Sequence, residues 1–177
     1  MRTFCAALLA LVASGCVSSY AGTARDADAA VLAEPGWTSV RVAAVRQESK
    51  KDCGAAALAM VLGYFGSSVA PVEIESMRAD ALRDFARSRG FAAHCIPGER
   101  ADLAAELADG RPVLVGLVKP TLEGGVQHYE VVVGMSRDEI ATIDPARGLT
   151  VNSWEGFDRE WTPAKRLAVI IAPPPSR

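Results

Sequence analysis

Asp52-Cys53-Gly54-Ala55-Ala56-Ala57-Leu58-Ala59-Met60-Val61-Leu62-Gly63-Tyr64-Phe65-Gly66 is the stretch that organises the 177-residue chain. From Cys53 to Phe65 it is apolar almost all the way round, which describes a buried helix rather than an amphipathic surface one. Asp52 suits the N-cap and Gly66 the C-terminal stop. A helix hidden on every face needs other layers around it, and the flanking sequence supplies them. Residues 40–45 alternate loosely, as a short strand would. Residues 72–77 and 79–89 read as further helices, 91–96 as a strand, and 100–108 as a helix ended by Asp109-Gly110. Then the pattern turns β-rich, over 112–118, 126–135, 139–144 and 168–172, with turn residues between. Helices first and strands later predict an α+β domain, a helical lobe packed against a mostly antiparallel sheet.

Half of the residues are hydrophobic and 23% are charged, which is ordinary globular composition. A net charge of −2 without a Lys/Arg cluster argues against a nucleic-acid partner. Lys50-Lys51 reads as a solvated turn. The spacing of Cys53, His94, Cys95 and His128 matches no usual zinc pattern, and no nucleotide-binding loop occurs, so neither metal nor cofactor is expected.

The first fifteen residues stand apart. Arg2 precedes an apolar run from Thr3 to Ala13, too short to span a bilayer, which takes about 20 residues, but suited to a signal-peptide core. Ala13-Ser14-Gly15-Cys16 resembles a bacterial lipobox, with Ala13 where Leu is usual, and implies a lipid on Cys16. Ordinary secretion with cleavage after a small residue is the alternative. A lipid with two or three chains would hold the protein stably on a membrane. Val17 does not resemble the Asp that retains many lipoproteins at the inner membrane, so the periplasmic face of the outer membrane is expected. The resulting division is a signal peptide over 1–15, a lipidated flexible tether over 16–36, and a folded domain over 37–177 that closes at Pro173-Pro174-Pro175.

Four residues point to chemistry. Cys53 opens the buried helix, where free backbone N–H groups and the helix dipole favour a thiolate nucleophile; a structural buried cysteine is the other reading. His128 opens the apolar run 129–134 at a strand end, suitably placed for a general base. A hairpin symmetric about Ser136 would pair His128 with Asp144 on one face, so that the carboxylate orients the imidazole. A one-residue slip would put Asp144 on the wrong face, and Asp144-Pro145 also reads as a plain turn starter. Gln47, six residues before Cys53, could donate its side-chain amide to an oxyanion. His94 and Cys95 are strand neighbours and point to opposite faces, so Cys95 reads as a core cysteine, and a Cys53–Cys95 disulfide could exist only as an off state. Gly124-Gly125 reads as a loop.

These residues carry a family resemblance. Gln47-Glu-Ser-Lys-Lys-Asp-Cys53-Gly, through the helix to Phe65-Gly66, is similar to the start of the bacteriocin-processing, or double-glycine, peptidase family. His128-Tyr129 with Val131-Val132-Val133-Gly134, then Ile143-Asp144-Pro145-Ala146 and Gly148, resembles its second half, and 157–161 resembles a feature near its C-terminus. The resemblance covers about residues 44–172. It implies a papain-like cysteine peptidase with Cys53 as nucleophile, His128 as base, Asp144 as orienting carboxylate and Gln47 as oxyanion donor. The family's best-known members are domains of ATP-driven exporters that cut leader peptides after Gly-Gly. Here the expectation is instead a standalone exported lipoprotein. Its substrate would be a protein or peptide, with a double-glycine motif where the family habit holds, and a secretion-system partner stays unnamed. Acyl transfer to an amine and non-catalytic leader binding are the competing functions.

Overall fold

The computed structural model describes residues 23–49, 51–74, 77–122 and 124–174. The signal segment and Cys16 lie outside them.

The buried helix is α1 (Cys53–Tyr64), every residue from Cys53 to Leu62 being buried. It stops where expected, with Gly66 at positive φ. α2 (Ala79–Ser88) shows a buried stripe of Leu82 and Ala86 and packs on α1, while α3 (Arg100–Ala108) buries Leu103 and Leu107. The helix expected over 72–77 is only a 3-10 turn at Pro71–Glu73, because Ile74 turns extended to bury its side chain.

The strands are β1 (Arg25–Asp26), β2 (Thr38–Ser39), β3 (Ala92–Pro97), β4 (Val113–Thr121), β5 (Gly124–Met135), β6 (Glu139–Asp144), β7 (Gly148–Ser153) and β8 (Leu167–Ala172). Together they make one antiparallel sheet in the order β1-β7-β6-β5-β4-β8-β3, with β2 added against β5. A fourth helix, α4 (Trp154–Trp161), follows β7 and is capped by Ser153, whose hydroxyl accepts from the Gly156 N–H. Phe157 and Trp161 anchor it, and the Trp161 indole N–H reaches the Leu167 carbonyl at 3.0 Å. The α+β architecture read from the sequence therefore holds. Among the described residues no helix is long and apolar enough to cross a membrane.

Four local expectations differ. β7 and α4 were not legible as elements, because residues 148–153 mix polar and apolar residues that are both buried. The strand expected over 40–45 is only the two-residue β2 just before it. Gly124 and Gly125 open β5 opposite Thr121 and Pro120, rather than lying in a loop. Most of all, the stretch read as the end of a flexible tether is folded from β1 onward. Ala27 N–H bonds the Leu149 carbonyl, Asp26 pairs with Arg147 at 2.7 Å, and a 3-10 helix (Ala29–Ala33) lays Leu32 over Gly134. A side chain at 134 would collide with Leu32, so glycine permits that close approach.

Candidate active site

Because α1 begins at Cys53, the thiol sits in the first helical turn, whose N–H groups have no acceptor within the helix. Asp52 does not cap them. Its carboxylate turns back to accept the Ser49 N–H at 2.9 Å. The Gly54 N–H instead donates to Met77 Sδ at 3.2 Å, and Cys53 Sγ lies 3.9 Å from the same sulfur. Cys53 is 0% exposed. The space beside Gly54 is filled from within: a Cβ there would stand 3.2–3.3 Å from Leu82, Tyr129 and Met77.

His128 lies on β5, 3% exposed, with Nε2 2.7 Å from Asp144 Oδ1. His128 also shares a side-chain hydrogen bond with Cys53. Burial disfavours the His128 cation, yet the bonds to Asp144 and Cys53 and the negative charges of Glu130 and Asp144 outweigh it. The pKa rises to about 10. Burial pushes the Asp144 carboxyl up, but the His128 bond and charge, the Ala146 N–H and the Lys119 charge hold it below the ordinary carboxylate value. Asp144 also makes main-chain contacts. Oδ1 accepts the Ala146 N–H at 2.7 Å, and the main-chain carbonyl accepts from Arg147 at 3.1 Å, so the residue starts the turn and holds the histidine.

The strand register behind this contact differs from the symmetric hairpin. Near the turn Met135 pairs with Ile140 and Gly134 with Ala141; farther out Val132 pairs with Thr142 and Val131 with Ile143. A β-bulge at Val133 separates the two registers. Continued outward, the second register sets Asp144 opposite Glu130, two residues from His128 and on the same face. Without the bulge, Asp144 would come opposite Val131 and point away. Parity of the register, not its symmetry, brings the pair together.

Gln47 joins the group through its backbone, its N–H donating to the Pro145 carbonyl at 3.0 Å, which ties the segment before α1 to the turn carrying Asp144. Its side-chain Oε1 is buried without a hydrogen-bond partner. Cys95 stays apart. Its thiol donates to the Ala79 carbonyl at 3.3 Å and burial pushes its pKa up. Cys53 and Cys95 are both free thiols, so they form no disulfide.

Two features were missed in the sequence. Met77 covers Cys53, and no periodicity marks it. Behind His128 lies a buried charge cluster of Lys119, Glu130 and Glu160, signalled in the sequence only by one acid inside an otherwise apolar strand. Ligand atoms of His128, Glu130 and Asp144 lie within 4.8 Å of one another, but both Glu130 oxygens are engaged by Lys119 and Thr142 and Asp144 Oδ1 by Ala146, so the set reads as a hydrogen-bonded network rather than a metal cage.

Residues 41–176 match the peptidase C39 family. The chain is 34% identical over 141 residues to the transport/processing ATP-binding protein ComA of Streptococcus pneumoniae, across 73% of this chain and 18% of that protein. It thus spans about a fifth of the length of the curated relatives it matches. Among solved structures, the peptidase domain of Streptococcus ComA superposes with a TM-score of 0.61 at 28% identity, covering 73% of this chain and 96% of that domain. A double glycine motif protease from an AMS/PCAT transporter, solved with its leader peptide, gives 0.60 at 25% identity, covering 76% and 94%.

Proposed function

Since the chain belongs to the peptidase C39 family and is a cysteine peptidase, we propose that Cys53, His128 and Asp144 form its catalytic triad and that Gln47 completes the oxyanion site. The observation that carries this is the buried chain of hydrogen bonds from Cys53 through His128 to Asp144, 2.7 Å at its second link. A histidine held cationic to high pH is the natural partner of a thiolate. The Cys53 sulfur attacks the scissile carbonyl, and the resulting oxyanion is met by first-turn N–H groups of α1 and the Gln47 amide. His128 gives its proton to the departing amine as the C–N bond breaks, leaving a thioester. It then takes a proton from the water that hydrolyses the thioester, releasing the acid and restoring the thiolate–imidazolium pair.

The substrate is a peptide segment with small residues at the scissile bond. Complete burial of Cys53 beneath Met77 restricts the approach, which suits a double-glycine motif such as the solved relative recognises. The lipobox-like Ala13-Ser14-Gly15-Cys16 supports export, lipidation of Cys16 and action on an exported protein at the periplasmic face of the outer membrane, with a catalytic domain that includes β1 and the 3-10 helix before Trp37.

The test is labelling of the purified chain with a Gly-Gly chloromethyl ketone, with the adduct mapped by mass spectrometry. Fast labelling of Cys53 at pH 6, lost in His128→Ala, is expected, and Cys53→Ala should be folded and inactive. Equal, slow labelling of Cys53 and Cys95 would overturn the assignment. Product masses distinguish hydrolysis from transfer to an added amine.

A further inference from the structure

Lys119 on β4, Glu130 on β5 and Glu160 on α4 are 4%, 1% and 3% exposed. Lys119 Nζ stands 2.5 Å from Glu130 Oε1 and 2.6 Å from Glu160 Oε2. The Thr142 hydroxyl donates to Glu130 Oε2 at 2.6 Å and is itself 3.0 Å from the Thr150 hydroxyl. Taking three charges out of water is expensive, and a well-packed apolar set of the same volume is commonly at least as stable. Stability alone is therefore a poor reason for the cluster. Its charge is also unbalanced, with two carboxylates facing one ammonium.

The neighbouring group able to use that excess is His128. Acceptor atoms of Glu130 and Asp144 and a ring nitrogen of His128 lie within 4.8 Å of one another. The groups facing the imidazole are Cys53 from α1, Asp144 from β6 and Glu130 on its own strand. Behind Glu130 stand Lys119 and Glu160, and the Arg147 charge acts on Glu160. Lys119 and Thr142 pin the Glu130 carboxylate, so it can neither rotate out to solvent nor displace Asp144.

We propose that Glu130 is a positioning residue of this site, a second buried carboxylate beside Asp144 that keeps the His128 imidazolium paired with the Cys53 sulfur. The inference rests on the Cys53–His128 assignment above. It makes the pH range over which the ion pair exists a property of the cluster as well as of the triad.

The test uses the full chain and iodoacetamide, with the alkylation rate of Cys53 followed from pH 5 to 10 by mass spectrometry and Cys95 as the internal reference. Glu130→Gln keeps the shape and the Thr142 contact and removes the charge. An opposite charge at this range moves a titration by about one unit or more. In Glu130→Gln the alkaline inflection is therefore expected to fall by about that much, so that alkylation at pH 9.5 drops about threefold while that at pH 6 stays nearly unchanged. Glu130→Asp should restore most of the wild-type profile, which a merely space-filling role would not predict.

The double variant Lys119→Met/Glu130→Gln removes the cation too and should show the same narrowed range. A folded Glu130→Gln whose profile superimposes on wild type, with His128→Ala still abolishing fast alkylation, overturns this inference and leaves the triad standing. If His128→Ala alkylates like wild type, the triad assignment itself falls. Should both Glu130→Gln and the double variant unfold, the cluster is structural and the inference is overturned.

Discussion

Replacing Asp144 separates its charge from its hydrogen bonds, because one oxygen makes both contacts. Oδ1 accepts from His128 Nε2 and from the Ala146 N–H, each at 2.7 Å. Asparagine can keep both bonds through its own Oδ1 and loses only the charge; alanine loses everything. A His128 pKa of about 10 against an ordinary 6.5 corresponds to roughly 5 kcal/mol in favour of the imidazolium. With the Cys53 bond and the Glu130 charge supplying part of that, the Asp144 charge accounts for roughly 2 kcal/mol, or about 1.5 pH units. In Asp144→Asn the alkaline limb of kcat/KM on a fluorogenic Gly-Gly peptide should then fall from about 10 to about 8.5. Activity at pH 9.5 drops about eightfold, while at pH 6.5 it stays within about threefold. Asp144→Ala also forfeits a buried orienting bond, roughly 1–1.5 kcal/mol, and should be about tenfold slower even at pH 6.5. An asparagine variant as impaired at pH 6.5 as the alanine one would refute the single-oxygen argument. A limb that does not move would refute the electrostatic one.

The same histidine links stability to pH. Its folded pKa lies above the unfolded value, so its contribution is fully present below about 6.5 and disappears as pH rises through about 10; urea midpoints should decline over that window in wild type and less in His128→Gln. A chain beginning at Trp37 loses β1 and the 3-10 helix over Gly134, and should be destabilised by about 2 kcal/mol or more from lost apolar burial; an unchanged urea midpoint would show that these residues are a tether after all. Gly54→Ala places a Cβ against Leu82, Tyr129 and Met77, and should cost about 1–3 kcal/mol by overpacking. Its thermal midpoint is the check, and a neutral result would mean that Met77 yields easily.

How far the sequence reaches can be judged element by element. The span of α1 follows from an apolar run between Asp52 and Gly66, and α3 from 100–108, because a helix is decided by contacts three and four residues away. β5 and β6 were readable as apolar, β-branched runs bounded by turn residues, and with them the fold class and the choice of Cys53, His128 and Asp144 as candidates. β7 was not, since its polar residues are buried against α4 and look like loop. The N-terminal stretch looked like a linker because its short apolar pieces find partners such as Leu149 and Gly134 more than a hundred residues away.

By itself the sequence determined the fold class and which elements hold the candidate residues, because both depend on residue type and local periodicity. Only the tertiary structure decided how those residues meet. The bulge at Val133 sets the parity that brings Asp144 to His128, Met77 closes over Cys53, and Lys119, Glu130 and Glu160 converge from two strands and a helix. Register and long-range ion pairs depend on which elements become neighbours, and that is settled by burial of the whole core rather than by any one segment.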